Sequence, residues 1–190
     1  DEFFEYGGAM GGGGGTNFVT RHQDGEGNVT LHDYDLAGNR TKITFPIPSI
    51  VETFEHNAFG QLTAHVHPDN GSGYLRRDEF SYYGPADGAL TGYPKDSVVD
   101  ALGLALTRTS APDSLGRVIR RTDGLGNDEL LDWNALDQIV RKTSREVTTG
   151  SGVRFVTDIH FGPNDNVVKV ERDNKDETGT PYAGNPKLTT

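Results

Sequence analysis

The chain has 190 residues, a formal net charge of −10 and no cysteine. An acidic chain without a basic stripe excludes a nucleic-acid surface built on phosphate contacts. The missing cysteines exclude disulfide frameworks and thiolate metal sites, and no apolar run reaches the roughly 18 residues that a membrane helix needs.

Residues 1–15 are read as an N-terminal segment, with Asp1 to Tyr6 as a strand edge, followed by a Gly-rich linker from Gly7 to Gly15. Gly8-Ala9-Met10-Gly11 resembles a cloning remnant and carries no functional argument. The acidic start lacks the basic region of a signal peptide, and it does not begin with Met, which suits a mature or internal fragment.

From residue 16 to 175 the chain is punctuated by turn signals roughly every 10 to 16 residues, leaving room for one strand of about 5–8 residues between them. One set has the form D-x-x-G: Asp35 to Gly38, Asn57 to Gly60, Asp100 to Gly103 and Asp113 to Gly116, with Asn134 to Asp137 ending in Asp. Asp or Asn at the first position accepts a backbone hydrogen bond two residues on, and the fourth position needs a left-handed backbone. The spacing predicts a type I turn running into a bulge between antiparallel strands. Gly84-Pro85-Ala86-Asp87 and Gly162-Pro163-Asn164-Asp165 are read as further copies with Gly first. An aromatic precedes four of these turns: Tyr34, Tyr83, Trp133 and Phe161.

A second set of turns lies about 11 residues away, at Asp24-Gly25-Glu26-Gly27, Asp69-Asn70-Gly71, Asp123-Gly124-Leu125-Gly126 and Asp173-Asn174-Lys175-Asp176. The intervening segments alternate apolar and polar residues, as in Val29-Thr30-Leu31-His32, and no stretch holds a helical apolar period. The expected fold is all-β: an antiparallel meander of repeated hairpins, part of a curved hollow shell. Residues 176–190 are expected to form an irregular polar tail.

Gly27 through Arg40, GNVTLHDYDLAGNR, resembles the RHS or YD repeat. Gly27, Tyr34, Asp35 and Gly38 match that unit, and Gly116-Arg117-Val118 restores its usual Arg-aliphatic order. The resemblance implies a ribbon of hairpins wound into a shell that encloses a C-terminal toxin in bacterial relatives, or a secreted or cell-surface adhesion protein. Its partners would be other parts of the same larger polypeptide, neighbouring subunits, an enclosed toxin domain or a surface glycan. No toxin-like domain follows the array, so a fragment or one subunit of a larger assembly is expected.

Candidate chemistry is sparse. His65-x-His67 places two imidazoles on one strand face, with Asp69 as a third ligand for a metal ion; polar residues on the wet face leading into a turn explain them better, since two histidines alone rarely suffice. The Asp24 and Asp123 turns cluster oxygens without the EF-hand pattern, so Asx turns account for them better than Ca²⁺. There is no nucleophile elbow and no phosphate loop. The expectation is a structural protein without catalysis or cofactor. The aromatics pack between hairpins on one reading and stack on sugars on the other.

Overall fold

The computed structural model describes residues 1–9 and 13–190. Fifteen strands follow one another: β1 (Phe3–Ala9), β2 (Gly13–Gln23), β3 (Val29–Tyr34), β4 (Arg40–Thr44), β5 (Val51–His56), β6 (Leu62–Val66), β7 (Arg77–Tyr82), β8 (Pro94–Val99), β9 (Leu106–Pro112), β10 (Val118–Thr122), β11 (Asp128–Trp133), β12 (Ile139–Thr143), β13 (Val156–Phe161), β14 (Val167–Asp173) and β15 (Lys187–Thr189). They form one antiparallel sheet whose order is the chain order, open between β1 and β15. Among the described residues the only helical element is the 3₁₀ turn Pro85–Leu90.

The chain divides into two units, Asp1–Ser81 with Ser97–Leu106, and Tyr82–Asp96 with Thr107–Thr190. Among the described residues neither has a deep core: the buried apolar side chains are Ile43, Ala64, Pro112 and Leu131. A single sheet exposes two faces, and most strand residues are half-buried accordingly.

Strands extend beyond 16–175 at both ends. The Gly-rich stretch expected as a linker supplies Gly7–Ala9 to β1 and Gly13–Gly15 to β2. Glycine is a poor strand former, but antiparallel pairing of Phe3, Phe4 and Glu5 with Gln23, His22 and Arg21 carries the ladder into it. Met10, Gly11 and Gly12 lie outside the described residues. In the tail expected to be irregular, Lys187–Thr189 pairs with Glu171–Asp173.

Candidate functional site

The recurring unit is a hairpin, and five connections build it alike. In β3–β4, β5–β6, β9–β10, β11–β12 and β13–β14 the turn begins at Asp35, Asn57, Asp113, Asn134 and Gly162. Each of these residues donates its N–H to the carbonyl four residues on, and its carbonyl accepts the N–H three residues on. The fourth residue is left-handed every time: Gly38 (φ 88), Gly60 (φ 77), Gly116 (φ 84), Asp137 (φ 59) and Asp165 (φ 59). This is a type I turn closed by a left-handed bulge residue.

Where the first residue is Asp or Asn, its side chain locks the turn. Asp35 Oδ1 accepts the N–H groups of Ala37 and Asn39 at 2.9 and 2.8 Å. Asn57 does the same for Phe59 and Gln61, Asp113 for Leu115 and Arg117, and Asn134 for Leu136 and Gln138. The fifth residue then closes back on the first. The Asn39 amide donates to Asp35 and the Arg117 guanidinium to Asp113. The amides of Asn57 and Asn134 donate to Gln61 and Gln138. Asp is thus paired with a donating amide or guanidinium at the fifth position, and Asn with Gln.

A second bulge follows in all five. The residue six after the turn start, Thr41, Thr63, Ile119, Val140 or Val168, has no partner opposite it in the register. All five are β-branched, a signal the sequence reading did not use. The bulge sits opposite the residue that precedes the turn: Tyr34, His56, Pro112, Trp133 or Phe161. His56 therefore belongs with the aromatics. The Tyr34 hydroxyl donates to Val19 O at 3.0 Å, Trp133 Nε1 to Val118 O at 2.8 Å, and the Tyr83 hydroxyl to Ser110 O at 3.0 Å. Their polar tips are spent on the sheet.

Two turns read as members of this set depart from it. At Gly84-Pro85-Ala86-Asp87 the chain runs into the 3₁₀ turn, and Tyr83 N–H reaches Tyr93 O. With no side chain at Gly84, Asp87 instead reaches back to accept the Gly84 N–H at 2.7 Å. At Asp100 to Gly103 the left-handed residues are Asp100 (φ 57) and Ala105 (φ 49), and Gly103 is not among them. The reason lies 22 residues upstream: Asp78 Oδ1 accepts the Asp100 N–H, and Tyr74 and Leu104 occupy the Asp100 carboxylate. That connection leaves β8, so it belongs with the second set of turns.

In that second set, Asp24 and Asp123 head the same turn without the second bulge. The carboxylates of Asp24 and Asp123 accept the backbone N–H groups of their own turns, as the Asx-turn reading expects. The side chains of Asn28, Asn39 and Arg117 above all, with the backbone N–H groups after them, hold the carboxyls of Asp24, Asp35 and Asp113 below their ordinary pKa. The turn read at Asp173 starts at Asp176, since Asp173 is still in β14.

His65 and His67 do share a face, with ring centroids 3.9 Å apart. Their Nε2 atoms meet Glu52 at 3.3 Å and Asp78 at 2.9 Å. Asp69 does not join them; it caps its own turn at Gly71 and Gly73. Among the described residues no group of three or more ligating side chains is placed to hold a metal.

The second unit carries an open groove of 580 Å³ lined by Asp132, Asn134, Arg141, Asp158, His160 and Phe161 among others. Arg141 and Lys187 pair with Asp158 at 2.6 and 3.0 Å. Arg141 above all holds that carboxyl below its ordinary pKa, so it stays ionised and is unsuited to general-acid work. His160 is spent on Glu171 at 2.9 Å.

No family model and no curated protein matches the chain. Among solved structures it is similar to a TcdB2-TccC3-Cdc42 complex, with a TM-score of 0.38 and 11% identity over 82% of this chain and 11% of that one. It is similar to TcdB2-TccC3, at 0.38 and 12% over 90% and 12%. It is also similar to a Photorhabdus luminescens Tc holotoxin pore, at 0.36 and 12% over 91% and 12%. The chain thus spans only about a tenth of the length of each.

Proposed function

We propose that this chain is a wall segment of the RHS/YD-repeat type, part of a larger secreted or cell-surface assembly that encloses or scaffolds a cargo such as a toxin domain. The observation that carries this reading is surface. The chain exposes 12072 Å², against about 8,900 Å² for a compact monomer of its mass. Two half-buried faces and an open strand order need cover that further repeats, neighbouring subunits or an enclosed segment would supply. On this reading the turn residues set geometry and the chain does no chemistry itself.

Ties between successive hairpins support the wall reading. Arg117 reaches from its own turn to Asn134 O and Asp137 at 2.9 and 3.1 Å. Gln138 reaches on to Asp165 at 3.1 Å. Such side chains hold neighbouring turns at a fixed pitch, which a wall requires and a free-standing binding loop does not.

The test is limited proteolysis of the intact gene product. If the array walls off a cargo, a segment outside it resists protease until the array is unfolded. Immediate cleavage of every flanking segment, with the array itself intact, overturns the proposal.

A further inference from the structure

Five of the six histidines lie on one face of the first unit. Cross-strand pairing sets His22 opposite Thr30, His32 opposite Ile43, Ile43 opposite Glu52, and Phe54 opposite His65. Strand alternation then puts His22, His32, His56, His65 and His67 on the same side.

This face sorts its histidines into two kinds. Three have a carboxylate: His22 meets Glu2 at 2.8 Å, His65 meets Glu52 at 3.3 Å, and His67 meets Asp78 at 2.9 Å. Protonation strengthens those contacts. His67 Nε2 also lies 3.1 Å from Arg76 Nη2, which can only donate. A proton on Nε2 therefore exchanges the Arg76 contact for the Asp78 contact.

His32 and His56 are the other kind. Each has its Nδ1 buried without a hydrogen-bond partner. A proton there would bury a cationic N–H with no acceptor, which is costly. The charges facing His32 are Arg40 on β4, His22 on β2 and its neighbour Asp33; after burial, Arg40 and His22 oppose protonation and Asp33 favours it. His56 differs in one respect: Asp35 in the neighbouring turn is coupled to it and favours a charge there.

We infer that the β3–β4 region is an acid-released section of the sheet, in which protonation of His32 opens the strands between pH 7 and 5 while the second unit stays closed. The sign follows from linkage. An opened strand exposes the His32 imidazole, which then binds a proton near pH 6.5, and the closed strand resists it. The closed state is therefore favoured above that pH and loses ground below it, by up to tenfold per pH unit. Carboxylates do not titrate in this window. In the second unit, His160 already meets Glu171 and gains from protonation. The inference holds whether or not the chain is a wall.

The test is amide hydrogen exchange on the whole chain at pH 7 and pH 5, corrected for the intrinsic pH dependence of exchange. Opening of β3 and β4 amides rises about tenfold or more at pH 5, and β11 and β12 change little. The His32→Phe variant abolishes the rise. An equal rise in both units, no rise, or a rise retained in the variant overturns the inference. If the variant does not fold, the contrast between the two units decides alone.

Discussion

Trp133 Nε1 donates to the carbonyl oxygen of Val118 at 2.8 Å, from the residue before the Asn134 turn to the start of the preceding strand. Tyr34 makes the equivalent bond to Val19. Both reach a carbonyl 15 residues back, so in these two hairpins the aromatic position ties the hairpin to the strand before it. Trp133→Phe keeps an aromatic, though smaller, side chain and removes the donor. It is expected to cost about 1 kcal/mol, read by urea denaturation. In the native chain Trp133 is the only tryptophan, and its emission reports the same transition. An unchanged urea midpoint would show that the bond contributes nothing.

Gly38 is doubly constrained. Its φ is 88°, and a Cβ there would lie 2.7 Å from the Phe18 ring. Gly38→Val forces a β-branched residue into the left-handed region and against an aromatic. The expected loss is about 1–3 kcal/mol from the backbone alone, with the ring clash adding to it. Unchanged thermal stability of the first unit would contradict this assignment.

How far the hairpin could be read in advance depends on the range of the forces that set it. Asp35, Asn57, Asp113 and Asn134 act on atoms within four residues, so their pattern is written in adjacent letters. The second bulge also had a local sign in Thr41, Thr63, Ile119, Val140 and Val168, but these differ in chemistry and share only branching. Asp100 was read into the wrong set because Asp78 takes its N–H from another strand. His56 was not grouped with Tyr34 and Trp133, because imidazole shares their place in the hairpin but not their outward chemistry. The histidine face itself appears only once the register of β2 to β6 is known.

Arg117 acts on two turns at once. Its guanidinium pairs with Asp113 at 2.7 Å and reaches Asp137 at 3.1 Å, besides Asn134 O. Arg117→Met keeps the aliphatic stem and removes the strut. The expected outcome is a lower melting temperature for the second unit, with the loss smaller in high salt because the native ion pairs are screened there. A loss that is the same at low and high salt would assign the effect to packing.

Asp78 sets a second acid limit, distinct from that of His32. It is buried, with 8% of its surface exposed. It accepts two hydrogen bonds from Arg76 and one from the Asp100 N–H, and His67 Nε2 lies 2.9 Å away. Arg76 above all holds its carboxyl far below the ordinary carboxylate range, and burial opposes this only in part. In the unfolded chain the same carboxyl protonates near pH 4. Below that pH the unfolded state binds the proton that the folded state refuses. The stability that Asp78 contributes is therefore complete above about pH 4 and is lost as pH falls towards its folded value. Asp78→Asn retains an oxygen for the Asp100 N–H but gives up the charge. The variant is expected to unfold at lower urea than the native chain at pH 7. Its urea midpoint should fall less steeply than the native one between pH 4 and 2.5, so that the two curves converge. Parallel curves down to pH 2.5 would show that this buried carboxylate is not what makes the first unit sensitive to strong acid.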